Sequence, residues 1–240
     1  MGSISRPSSP SLSSLPLFNP TKHLSYQPPS SIISLKDIHL PPSPISTVAS
    51  SVPFPLLSPA AIEAHRSELF SKPVLSNCLW KKRAGAAQIR GMAPRYAPFI
   101  HQFWTSPEVL GIVSSIAGID LVPVVDYEIC HTNVQLGDGG LDSVWDTPAV
   151  PPEPTEEERR GFEERRGVGE NEEVEKAIVP WHRDSHPFVC VVMLSNAAFM
   201  TGGETELQKG DGTTMKVRSP QMVRASSYFQ DCYEIRADIS

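Results

Sequence analysis

From residue 58 to residue 118 the apolar positions keep helical spacing; after that they keep the spacing of strands. Ser58 stands where an N-cap is expected, and Pro59 at the first helical position, where its missing N–H costs nothing. A helix from there to about Ser71 puts Ile62, Leu69 and Phe70 roughly on one side. Tyr96, Phe99, Ile100, Phe103 and Trp104 predict a second, short helix. Ser106-Pro107-Glu108 starts a third, carrying Val109, Ile112, Val113 and Ile116 and stopping at Gly118.

The period then changes. Leu121–Leu136, rich in Val, Ile, Tyr and Thr, predicts one or two strands, ended by turn chemistry at Asp138-Gly139-Gly140. Ile178–Pro187 reads as extended. Phe188–Ser195, apolar on both faces, predicts a buried central strand. Thr205–Gln208 and Thr214–Arg218 flank Lys209-Gly210-Asp211-Gly212, a hairpin signal. Helices followed by many short strands predict an α+β protein built on a sandwich or jelly roll.

Composition divides the chain. Residues 1–58 hold 16 Ser and 11 Pro and only four charges, Arg6, Lys22, Lys36 and Asp37. Pro removes backbone donors and Ser competes for the backbone locally, so residues 1–57 are expected to be a disordered tail with a short docking piece around Ile32–Leu40. The folded domain is then expected over 58–240, with an insert over 144–177. Within it, Glu153–Lys176 carries 10 Glu against five basic residues, nearly the whole net charge of −6, and predicts a solvated helix or loop.

That charge excludes a general nucleic-acid binder, which needs a basic face. No apolar run approaches the roughly 18 residues that suggest a membrane span. Cys78, Cys130, Cys190 and Cys232 form no C-x-x-C pair, so a structural zinc site is not indicated. Unpaired cysteine usage and the lack of an apolar signal region predict an intracellular, cytoplasmic setting.

The chemistry lies in Val179-Pro180-Trp181-His182-Arg183-Asp184-Ser185-His186-Pro187. Residues i and i+2 of a strand project to one face, so His182 and Asp184 can occupy two adjacent corners of one metal ion. This is the H-x-D part of the 2-His-1-carboxylate arrangement of non-haem Fe(II) centres. With 7 His in 240 residues, chance supplies about 0.3 such pairs, so the spacing alone is weak; its position at the opening of an apolar strand, with Gly202-Gly203-Glu204-Thr205 beyond, strengthens it.

The chain from about Leu57 to Met222 resembles the 2-oxoglutarate/Fe(II)-dependent dioxygenase-like proteins. The matching stretches are Met92-Ala-Pro-Arg-Tyr-Ala-Pro-Phe99, Phe103-Trp-Thr-Ser-Pro-Glu-Val109, Pro123-Val-Val-Asp-Tyr-Glu-Ile129 with His131-Thr-Asn133, Pro180-Trp-His-Arg-Asp-Ser-His-Pro-Phe-Val-Cys190, Gly202-Gly-Glu-Thr205 and Lys216-Val-Arg-Ser-Pro-Gln-Met222. The resemblance implies a double-stranded β-helix in which His182 and Asp184 ligate Fe(II). It implies 2-oxoglutarate as cosubstrate, molecular oxygen as oxidant, and a small organic substrate that is hydroxylated or similarly oxidised.

It also implies a second His on a late strand and an Arg beyond it that grips 2-oxoglutarate. No His follows His186, and residues 223–240 do not match that pattern. The expectation is therefore an incomplete jelly roll, lacking its closing strands, with an unpaired edge and poor solubility. His186 shares strand parity with His182, but four residues of strand span about 13 Å, too far for one ion. His131 belongs to another predicted strand. Arg218 and Arg224 are carboxylate grips by charge only. Asn133 and Gln135 share a face, as pocket lining or as a satisfied strand-edge pair, and Trp181 and Phe188 read as core. The alternative to an oxygenase is a non-catalytic β-sandwich interaction protein that binds through its acidic segment and its Ser/Pro tail.

Overall fold

The computed structural model describes residues 17–83, 85–136, 139–157, 159–161, 177–182, 186–195, 202–217, 224–229 and 235–239. In chain order come α1 (Pro20–His23), β1 (Ile32–Ser34), a 3-10 turn (Lys36–Ile38), β2 (Val48–Ser51), β3 (Phe54–Pro55), α2 (Pro59–Leu69), α3 (Lys72–Cys78), β4 (Leu79–Arg83), β5 (Ala86–Ile89), α4 (Pro98–Thr105) and α5 (Pro107–Ala117). Then follow 3-10 turns at Asp126–Glu128 and Gly140–Asp146 on either side of β6 (Thr132–Gln135), and the strands β7 (Ala177–His182), β8 (Phe188–Val192), β9 (Gly202–Gln208), β10 (Thr214–Val217), β11 (Arg224–Phe229) and β12 (Ile235–Ile239). The chain is mixed helix and antiparallel sheet, as its α+β pattern predicts.

Two compact units divide it. One gathers residues up to Asn19, Glu63–Ser106 and Pro123–Val150; the other gathers Pro20–Ile62, Pro107–Val122 and the chain from Pro151 on.

In the first unit, β4, β5 and β6 form a three-stranded antiparallel sheet with β5 in the middle and buried throughout. Its core is aromatic. Phe103 meets the rings of His65, Trp104 and Phe18 edge-on, at centroid distances of 4.8, 5.2 and 5.3 Å. Such T-shaped pairs put the positive edge of one ring on the negative face of another. Helix α2 is buried on more than its apolar side, because His65, Arg66 and Glu68 are all inside. Arg66 donates through Nη2 to the Pro148 carbonyl at 2.7 Å and through Nε to that of Ala149 at 3.0 Å, pinning the segment after the Gly140–Asp146 turn. Burial lowers its pKa. Only part of Leu121–Leu136 is strand: Asp126–Glu128 is a 3-10 turn, and Val124, Val125 and Tyr127 stay exposed instead of alternating into a sheet.

In the second unit, α2 starts where predicted. The Ser58 hydroxyl accepts the Ala61 N–H at 3.1 Å and donates to the Lys22 carbonyl at 2.8 Å. Replacing Ser58 with alanine should cost about 1 kcal/mol of stability, read as a lowered urea midpoint with unchanged slope. Helix α5 ends at Gly118, whose φ of +73° suits glycine.

Residues 17–57 correct the expected disorder. β1 pairs β2, β2 pairs β11, and Leu35, Ile38, Phe54, Leu56 and Leu57 are buried. The docking piece around Ile32–Leu40 is one part of this. The rest follows because a few well-spaced apolar residues suffice to anchor strands whose serines pair through their backbones. Residues 1–16 lie outside the described residues.

The strands of the second unit lie in two sheets. One runs β1-β2-β11-β3, with β8 also paired to β11; the other runs β10-β9-β12-β7. Leu35, Ile38, Ala49 and Leu207 form a buried cluster with Phe188, Val189 and Met215 against it, so both sheets contribute to one apolar core. The predicted hairpin is present: Thr214 opposes Gln208 and Val217 opposes Thr205 across the turn at 209–212. Two expectations are revised. β8 pairs β11 alone among the described strands, and its Val191 is exposed, so it is not a buried central strand. The stretch beyond Met222 supplies strands rather than leaving gaps. β11 lies between β8 and the N-terminal strands, and β12 between β9 and β7. Strands pair through backbone groups, so a segment that departs from a family pattern can still occupy such a place.

Candidate functional site

His182 is the last residue of β7, and β7 pairs β12 alone among the described strands. The antiparallel register sets His182 directly opposite Ile235; it then shifts, with Val179 opposite Ala237 and Ala177 opposite Asp238. Directly opposed residues of an antiparallel pair share a face, with Cβ atoms about 4.5–5.5 Å apart. Asp184, the second predicted ligand, lies outside the described residues, as do Arg218 and most of the acidic stretch Glu153–Lys176.

The other sequence candidates are dispersed. His186 lies in the bend between β7 and β8 and is half-buried. His131 is in the first unit, just before β6, its Nδ1 3.8 Å from Glu128 Oε2. Glu128 also pairs with Arg90, whose guanidinium lies over the Tyr127 ring. Arg224 is on β11 opposite Pro55. Asn133 accepts a 2.8 Å hydrogen bond from the Gln88 side chain on the neighbouring strand. Phe188 packs against the apolar cluster.

Among the described residues no group of three or more His, Cys, Asp or Glu is arranged to hold a metal ion. Of the predicted pair, His182 is the residue that the structure describes, and the register sets Ile235 opposite it. No signal in the sequence marks Ile235 as that neighbour, because register between distant strands is not a local property.

Three further groups were not anticipated from sequence. Glu68 is fully buried and accepts the Phe99 and Ile100 N–H groups at 2.8 and 2.9 Å; desolvation raises its pKa, against the opposing effect of those two bonds. Cys130, in left-handed backbone at φ +57°, has its thiol pushed up to about 11, chiefly by burial. A broad open hollow of about 510 Å³ lies along the end of α5, between Leu110, Gly111, Ser115, Gly118 and Leu121; among the described residues Asp120 is the one titratable side chain lining it. None of the described helices is long and apolar enough to cross a membrane.

No family model, curated protein or solved structure matches the chain.

Proposed function

We propose that the second unit is a double-stranded β-helix of the Fe(II)/2-oxoglutarate-dependent oxygenase type, with His182 and Asp184 as two protein ligands to the metal and a small organic molecule as substrate. The observation that carries the reading is the placing of His182 at the end of a sheet strand in a chain that passes back and forth between two sheets. β7 lies in one sheet, β8 in the other, β9 and β10 in the first again, β11 in the second and β12 in the first. Such switching between paired sheets is the habit of Greek-key jelly rolls. When bound, iron and 2-oxoglutarate would supply oxygen activation, with this chain holding the metal and orienting its partners.

Anaerobic titration of the folded chain with Fe(II) and 2-oxoglutarate tests this. A weak visible charge-transfer band is expected, absent in His182→Ala and in Asp184→Ala. A folded sample without any band would remove the enzymatic reading. A second reading, a non-catalytic β-sandwich interaction protein of the same descent, is favoured by one observation, the register that pairs His182 with Ile235, a residue type without a donor atom. That reading expects no band.

A further inference from the structure

Six Ser-Pro or Thr-Pro dipeptides stand in the sequence, at Ser9, Ser43, Ser58, Ser106, Thr147 and Ser219. Each is a candidate acceptor for a proline-directed protein kinase, the class that takes a serine or threonine with proline directly after it. A kinase cleft takes its substrate as an extended segment, so a usable acceptor must lie at the surface in backbone that can yield. Ser43, Ser58, Ser106 and Thr147 are among the described residues, and the fold treats them differently.

Three of these four are built into structure. The Ser58 hydroxyl is engaged in both senses, accepting the Ala61 N–H at 3.1 Å and donating to the Lys22 carbonyl at 2.8 Å, and Pro59 is already helical. Ser106 is only 8% exposed; its hydroxyl donates to the Phe103 carbonyl at 2.9 Å, and Pro107 opens α5. Thr147 caps the Gly140–Asp146 turn, its hydroxyl donating to the Ser143 carbonyl at 3.5 Å, and Arg66 grips the Pro148 carbonyl that follows. Ser43 lies instead in the loop between the Lys36–Ile38 turn and β2. Pro41, Pro42, Pro44 and Ile45 are exposed there, and Ser43 is partly so. From Pro41 to Ile45 the one hydrogen bond among the described residues is local, donated by the Ile45 N–H to the Ser43 oxygen at 3.2 Å. Its three prolines have no N–H, so drawing this loop into a groove breaks no helix or ladder bond. Its ends are fastened, by the Leu40 N–H on the Leu35 carbonyl at 2.9 Å and the Ser46 hydroxyl on the Ala117 carbonyl at 2.6 Å.

We infer that Ser43 is a phosphorylation site for a proline-directed kinase, selected from four like dipeptides by the fold. The γ-phosphoryl group of ATP passes to the Ser43 oxygen: the bond from the γ-phosphorus to the bridging oxygen breaks, the Oγ–P bond forms, ADP leaves, and the hydroxyl proton goes to the catalytic aspartate of the kinase. The product places a charge of about −1.5 to −2 on an exposed, proline-rich loop. This site is independent of any metal at His182.

The test is a time course of phosphorylation of the folded full chain by a proline-directed kinase with Mg-ATP, each site read by mass spectrometry. Ser9→Ala and Ser219→Ala leave the four described dipeptides as the ones that can react. Phosphate should enter at Ser43 at least about tenfold faster than at Ser58, Ser106 or Thr147, because each of those must first open local structure such as a helix cap. Ser43→Ala should remove the fast phase. Short peptides spanning the four dipeptides should differ far less from one another. Absence of phosphate at Ser43 in the folded chain would overturn the inference, as would a rate there no faster than at the other three. An equal preference for Ser43 among the peptides would overturn it too, by putting the choice in the local sequence.

Discussion

Replacing Glu68 with alanine should destabilise the chain by about 2–4 kcal/mol, because two buried N–H groups lose their acceptor at once. Ala97, at the start of α4, makes no side-chain cap, and the carboxylate of Glu68, from α2, takes over that role for Phe99 and Ile100. Negative charge is also favoured at the positive end of a helix. Glu68→Gln keeps one carboxamide oxygen for two donors and should cost about half as much. Burial raises the Glu68 pKa above its ordinary 4.5, so the folded state binds the proton more tightly than the unfolded chain does. The stability this contributes is fully present below about 4.5 and is lost as pH rises through the folded-state value. The advantage of wild type over Glu68→Gln should therefore be largest at mildly acidic pH and shrink toward neutrality. Urea unfolding of both proteins across that range checks it. Wild type gaining on the variant as pH rises would show that the two hydrogen bonds outweigh desolvation.

Gly210→Ala should have an effect of similar size, about 3 kcal/mol, at the upper end of what overpacking usually costs. A methyl group there would lie 1.9 Å from the His39 carbonyl oxygen and 2.7 Å from its carbon, both backbone atoms without room to yield. The same glycine donates its N–H to the Ile38 carbonyl at 2.9 Å, so any retreat from the clash breaks the bond that seats the β9–β10 turn on the Lys36–Ile38 turn. Gly212, at φ +82° with open space for 4 Å around the place an added methyl would take, is the comparison. Gly212→Ala should cost only about 1–2 kcal/mol, for left-handed backbone. Thermal unfolding should rank Gly210→Ala well below Gly212→Ala; equal melting temperatures would show that the turn is not seated as described.

Local signals in the sequence are dependable where one residue decides the backbone. Pro59 and Pro107 open their helices, Gly118 closes one, and Lys209–Gly212 turns a hairpin. Averages mislead. Ser and Pro dominate residues 17–57 numerically, yet burial there is decided by a handful of apolar side chains, and Ser50 and Ser51 are themselves completely buried. In α2, His65, Arg66 and Glu68 are polar residues that the apolar spacing of Ile62, Leu69 and Phe70 does not place inside. Each is instead enclosed by residues distant in sequence, Phe99 and Phe103 around His65 and Pro148 beside Arg66. For the candidate site, the strand that carries His182 is legible from its pattern. Its neighbour across the sheet is not, because 53 residues separate His182 from Ile235 and nothing local encodes their pairing.

The pairing of Ser50 with Tyr228 carries a consequence for how the chain is made. A strand completed early in synthesis must wait for one that emerges 178 residues later, roughly 10–40 s at ordinary rates of translation. During that wait Val48–Ser51 has β1 on one side and an open edge on the other. Chaperone capture on the ribosome, or its absence, would then govern yield more than the final stability does, and the slow, non-local closing of this sheet would set the folding rate.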